Sequence, residues 1–147
     1  MLKTPILHPQ ILAALGRAGH TSKILIADGN YPHHTKRGPN ADVVFLNFAP
    51  GQLNVTDVLI GIANTVPLEL AEVMEPPRMG PYAMKNDPPI FDDFRKILKA
   101  RNAALDLTKL ERFAFYEAAG TKDVTLTIAT GEQKIYANIL LTIGVVM

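Results

Sequence analysis

Apolar residues in this chain fall into short runs separated by polar, Pro-rich and Gly-rich stretches, and the spacing within each run predicts its element. Residues 9–19 read as a helix: Pro9 suits the first turn, Ile11, Leu12 and Leu15 share a face, and Gly19 can close the end in the left-handed conformation. Residues 23–27 (KILIA) predict a short buried strand that delivers Asp28 at its carboxyl end, the edge where open α/β sheets bind ligands. Residues 43–48 predict a second strand. Asn54 with Asp57 three residues on predicts a helix start, Val58, Leu59 and Ile62 its inner face, and Pro67 its end. Residues 68–74 (LELAEVM) predict a third strand. Helical spacing returns at 90–101, where Phe91, Phe94 and Leu98 align, and a short helix is expected at 112–118 (RFAFYEA). Residues 124–129 alternate as a strand does, Gly131-Glu132 is expected to turn, and 139–147 predicts a last strand.

Two connecting segments stand out. Residues 29–40 carry turn chemistry throughout (Gly29, Asn30, Pro32, Gly38, Pro39, Asn40) and are long enough to wall a pocket. Residues 76–89 are crowded with Pro, Gly and Met, and a loop of that length is commonly functional or located at an interface. The apolar ending Val145-Val146-Met147 predicts burial in the sheet or a subunit contact, because termini are usually polar and loose. With no repeat and no internal boundary, residues 1–147 read as one compact α/β domain, a central, mostly parallel sheet flanked by helices.

Composition sharpens this picture. A 48% hydrophobic content beside 20% charged residues is richer than a lone small domain needs, which suggests apolar surface buried against other copies of the chain. Fifteen basic and fourteen acidic residues leave a net charge of +1 without a basic cluster, which argues against a nucleic-acid partner. The absence of cysteine excludes disulfides, thiolate metal sites and a thiol nucleophile. No run approaches membrane-spanning length, and the start lacks the long apolar stretch of a secretion signal, so a cytoplasmic protein with no membrane partner is expected. Asn54-Val55-Thr56 then reads as a helix start rather than a glycosylation acceptor.

The candidate chemistry lies at the rims of the apolar segments: His20, Asp28, Arg112, Tyr136 and Asn138. These come from opposite ends of the sequence, so a single site using them is built by folding, within or across subunits. Imidazole as a side-chain type can both give and take a proton under cellular conditions, which makes His20 the candidate acid–base group; its alternative reading is a surface imidazole drawn to a helix C-terminus. Asp28 can accept from a ligand hydroxyl and support His20, or simply cap an Asp-Gly turn. Arg112, ahead of an aromatic run, can donate to ligand oxygens or pair with Glu111, Glu117 or Asp123. Tyr136 and Asn138 together suit a polyhydroxylated ligand, or form an ordinary half-buried strand entry. His33-His34 invites a metal reading with His20 and Asp28. Adjacent histidines project differently, however, and neither HExxH spacing nor a second carboxylate is present. Neither a metal nor a cofactor is expected.

The ordered pieces Gly19-His20, Ala27-Asp28-Gly29-Asn30-Tyr31-Pro32, Glu111-Arg112-Phe113-Ala114-Phe115-Tyr116-Glu117 and Gly131-Glu132 resemble the L-fucose mutarotase and D-ribose pyranase family, as does Tyr136-Ala137-Asn138-Ile139-Leu140-Leu141. The likeness spans nearly the full length, and the arginine before an aromatic run is closer to the fucose branch. It implies His20 as proton donor and Asp28, Arg112, Tyr136, Ala137 and Asn138 as sugar contacts. It also implies a free monosaccharide as substrate and a ring-shaped homo-oligomer, often a decamer of two pentamers, with sites at subunit contacts. The chain departs from the fucose pattern at Asn47-Phe48-Ala49-Pro50-Gly51, where those enzymes carry Arg-Ala-Asp-Gly, and at Thr142-Ile143, which replaces a basic pair. It departs again at Ala137, where ribose enzymes also tend to have alanine. Mutarotation needs only an acid and a base across one acetal centre, which suits a chain without metal or nucleotide signatures. The other readings are a ribose pyranase, a non-catalytic sugar-binding module, a metal-dependent hydrolase or isomerase, and a ring-forming protein without activity.

Overall fold

The computed structural model describes residues 1–146. Its elements are α1 (Pro9–Arg17), β1 (Lys23–Ala27), β2 (Asp42–Phe45), α2 (Val55–Ala63), β3 (Leu68–Met74), α3 (Ile90–Lys99), β4 (Leu107–Leu110), α4 (Arg112–Ala119), β5 (Val124–Ala129) and β6 (Ile139–Ile143). One six-stranded sheet runs in the order β2-β5-β1-β6-β3-β4. The pairs β2–β5, β1–β5 and β3–β4 are parallel, while β6 is antiparallel to both β1 and β3. The expected mostly parallel sheet is therefore a mixed one, with a single reversed strand near its middle. The cause is the short link over residues 130–138. It falls below the dozen or so residues a parallel crossover needs, so the chain turns and runs straight back.

Alternation along the strands divides the interior in two. On one face Ile24, Ile26, Val73, Ile139 and Leu141 meet the buried sides of α1, α2 and α3, including Leu59, Phe91 and Phe94. On the other, Leu25, Ala27, Met74 and Leu140 pack against α4 through Phe115 and Ala119. Asn54 does open α2: its N–H donates to the Asp57 carboxylate at 3.0 Å, the returning half of a capping box.

The structure departs from the sequence expectations at several ends. Helix α1 stops at Arg17, and the extended residue Ala18 caps it (φ −77°, ψ 153°). The left-handed conformation expected of Gly19 falls on Thr21 instead (φ 69°), whose N–H is drawn into the sheet to reach the Ile143 carbonyl at 2.9 Å. Strand β2 ends at Phe45 rather than residue 48, because 49–52 fold into a tight turn with Gly51 at φ 77°. Gly131 cannot turn as expected. It is wedged beneath that segment, where a Cβ would lie 2.2 Å from the Gln52 carbonyl oxygen, and the turn moves on to Tyr136 (φ 61°). Strand β4 had no counterpart in the sequence reading, since LTKL is a four-residue, half-buried edge strand without clean alternation. Strand β6 ends at Ile143. Val145 and Val146 are 54% and 88% exposed, so the chain itself does not bury them, and Met147 lies outside the described residues.

Candidate functional site

The reversal of β6 decides which residues meet. Its first residue pairs with Ile26 near the end of β1, so Asn138, immediately before β6, lies beside Asp28, immediately after β1. The two residues form a closed pair. The Asp28 backbone N–H donates to Asn138 Oδ1 at 2.9 Å, and Asn138 Nδ2 donates to Asp28 Oδ2 at 3.0 Å. The Asn30 N–H donates to Asp28 Oδ1 at 2.9 Å, closing a local Asx turn. Both members are buried, with Asp28 3% and Asn138 5% exposed. Burial pushes the Asp28 carboxyl above the ordinary aspartate range, and the hydrogen bonds from Asn30 and Asn138 pull it part of the way back.

This pair forms the floor of a cavity of about 390 Å³ at the carboxyl ends of the parallel strands, within the usual range for small-ligand sites. All four tyrosines of the chain line it: Tyr31, Tyr82, Tyr116 and Tyr136. Tyr31 is packed 5.7 Å from Tyr116, centroid to centroid, and its hydroxyl donates to the Lys36 carbonyl at 2.9 Å. Its burial raises the phenol pKa. The Tyr136 hydroxyl donates to the Tyr82 carbonyl at 3.1 Å, tying the 76–89 loop to the entry of β6. Desolvation raises the Tyr136 pKa and the nearby Arg112 charge opposes that rise. Met74 and Ile135 add apolar wall, and Asn30 adds an exposed amide.

Arg112 enters the same cavity from the first position of α4. Its neighbour Glu111 is not its partner: that carboxylate caps α4, accepting from the N–H groups of Phe113 (2.8 Å) and Ala114 (3.3 Å). The guanidinium lies 5.8 and 5.9 Å from the Phe113 and Tyr116 ring centres, and it enters no ion pair among the described residues. An unpaired cation, a buried carboxylate–amide pair and aromatic faces together suit a neutral ligand rich in hydroxyls.

Two expected members do not line it with their side chains. The Ala137 methyl is fully buried in the larger core, while its backbone gives a hydrogen bond to the Asp28 carboxyl. His20 lies at the opposite edge of the sheet, next to Thr21, whose N–H binds the last residue of β6. The length of β6, about 13 Å at a rise of ~3.3 Å per residue, therefore separates it from Asn138 within one chain. Its carboxylate neighbour is Glu69, 3.0 Å from Nε2, and not Asp28 as expected. The ring of His33 packs 5.5 Å from Tyr31, and burial lowers its pKa; His34 is exposed. Among the described residues no three His, Asp or Glu side chains converge as a metal would require. No helix there is long and apolar enough to cross a membrane. Sequence reasoning placed none of Tyr31, Tyr82 and Tyr116 in the site. The usable signal was that the chain's few tyrosines all sit in or beside the two long loops, the aromatic run of α4 or the β6 entry.

Residues 1–146 match the RbsD / FucU transport protein family. The chain belongs to this family. Solved RbsD / FucU relatives share the fold. The fucose mutarotase of Streptococcus pneumoniae, in complex with L-fucose, is 27% identical with a TM-score of 0.80, each chain covered in full. FucU from Bifidobacterium longum is 35% identical with a TM-score of 0.78 over 95% of both chains. RbsD of Bacillus subtilis, complexed with D-ribose, is 25% identical with a TM-score of 0.74, again over both full lengths.

Proposed function

We propose that the chain is a cofactor-independent monosaccharide mutarotase that interconverts the anomers of a free sugar such as L-fucose by opening and reclosing the ring. The supporting observation is the cavity in which the Asp28–Asn138 pair, Arg112 and all four tyrosines converge. In the forward half-reaction a protonated His20 gives its proton to the ring oxygen as the C1–O bond breaks and its electron pair moves to that oxygen. The anomeric hydroxyl releases its own proton to Asp28, which burial makes a stronger base than a solvated aspartate. The product is the open aldehyde. Rotation about C1–C2 and the reverse transfers close the other anomer. Arg112 offsets negative charge that develops on oxygen, and Tyr136 and Asn138 hold hydroxyls.

Because His20 stands at the far edge of its own sheet, it serves the cavity of a neighbouring copy. A head-to-tail ring, expected as a decamer of two pentamers in the cytoplasm, provides that arrangement. Support for such contacts comes from Phe48, Phe113 and Val146, which are 88%, 66% and 88% exposed on the single chain. His20→Ala is expected to abolish catalysed anomer exchange in saturation-transfer NMR while sugar binding persists; full exchange in that variant ends the assignment. Ala137, shared with the ribose branch, favours one second reading, pyranose–furanose exchange of D-ribose. An NMR exchange panel over fucose, ribose, galactose and rhamnose separates the two.

A further inference from the structure

The proposed proton donor is itself held by a carboxylate that the sugar site does not contain. We infer that Glu69 is a positioning residue for His20, fixing the imidazole with its proton on Nε2 and presenting Nδ1 as the nitrogen that exchanges protons with the substrate. The catalytic half of this inference rests on the mutarotase reading; the geometric half does not.

Three observations carry it. His20 Nε2 lies 3.0 Å from Glu69 Oε2, and among the described residues Nδ1 has no partner within the chain. A carboxylate can only accept, so in the neutral ring the proton must reside on Nε2, which leaves the Nδ1 lone pair outward. Both residues are also stitched to the same strand end. Thr21, beside His20, donates to the Ile143 carbonyl at 2.9 Å while holding φ at 69°, and Gly144 donates to the Pro67 carbonyl at 2.9 Å, two residues ahead of Glu69. A non-glycine residue in the left-handed region is retained only where surrounding bonds hold it. Finally, the Glu69 side chain lies over Gly144. A Cβ there would meet Glu69 Cβ at 3.3 Å and Oε2 at 3.5 Å, so the bare glycine leaves room for the carboxylate in this position.

The pair is half exposed on the single chain (52% for the His20 side chain and 42% for Glu69), so its contribution there is orientation rather than a large change in charge stability. During turnover the imidazolium gives the Nδ1 proton to the ring oxygen and becomes the neutral Nε2–H form. That is the tautomer Glu69 already favours, so Nδ1 is ready to take the proton back on closure. No ring flip intervenes between the two half-reactions.

The test is magic-angle-spinning NMR of the assembled protein carrying ¹⁵N-labelled histidine, with His20→Ala supplying the assignment, combined with steady-state exchange kinetics. The wild type is expected to show one neutral His20 tautomer, protonated at Nε2. Glu69→Ala is expected to show a mixture of tautomers, with kcat for anomer exchange down about 5- to 10-fold, a part of the ~10²–10⁴-fold that a positioned acid–base group supplies, and KM within about twofold. Glu69→Gln, which keeps an acceptor oxygen, is expected to restore the single tautomer and most of kcat. An unchanged tautomer in Glu69→Ala overturns the positioning role, and so does an unchanged kcat. If His20→Ala retains full exchange, the mutarotase mechanism fails instead, and the tautomer result still decides the geometric half.

Discussion

Asp28 shows at the scale of one residue how a binding group acquires its properties. A turn-forming Asp-Gly is ordinary in a loop; here the carboxyl is buried and gripped on both oxygens by Asn30 and Asn138. Its pKa in the folded state is raised, so the folded protein holds this proton more tightly than the unfolded chain does. That contribution to stability is full below the unfolded value near 3.8 and is lost as pH rises through the higher folded value. Asp28→Asn removes the titration. Denaturant melts taken from pH 3 to pH 7 are expected to show a shallower decline in stability for the variant than for the wild type. The same substitution is expected to weaken sugar affinity by about 10- to 100-fold in titration calorimetry, the loss of a charge-assisted hydrogen bond worth ~1.5–3 kcal/mol. An unaltered affinity would remove Asp28 from the sugar contacts.

At the scale of elements, the site depends on one reversed strand and one loop. Periodicity exposed β1 and α3 because Ile24-Leu25-Ile26-Ala27 is an unbroken apolar run and Phe91, Phe94 and Leu98 repeat at helical spacing. It missed β4, whose half-buried residues follow neither period, and it placed the turn at Gly131 because a glycine's need for space and its freedom to turn look the same in a sequence. The 76–89 loop was legible as unusual, but its reach was not. A single hydroxyl bond from Tyr136 to the Tyr82 carbonyl links it to the β6 entry. Tyr136→Phe removes that bond and is expected to cost about 1 kcal/mol. Limited proteolysis should then cut between residues 76 and 89 faster than in the wild type, and sugar should protect the loop less. Equal cutting rates would mean that the loop's other contacts, such as the Asp87 carboxylate with Arg95 and Lys109, hold it without that bond.

At the scale of the whole molecule, the expected site residues divide between the two ends of the sheet. Under the proposed mechanism, His20 and Asn138 cooperate between copies. Mixing tests this directly. Hybrids of His20→Ala and Asn138→Ala protomers, dissociated and reassembled in equal amounts, should recover about a quarter of wild-type exchange, because in a head-to-tail ring that share of junctions joins an intact cavity to an intact imidazole. No recovery, with reassembly verified by native mass spectrometry, would mean that the site is not shared. By itself the sequence determined most of the elements, the family likeness and a set of candidate residues suited to proton transfer and hydrogen bonding, because local periodicity and residue type report burial and reactivity directly. Only the tertiary structure decided that Asp28 meets Asn138 across 110 residues, that four tyrosines share one cavity, and that His20 faces away toward Glu69. Strand pairing is non-local, and the direction of β6 follows from the length of its link rather than from its own residues.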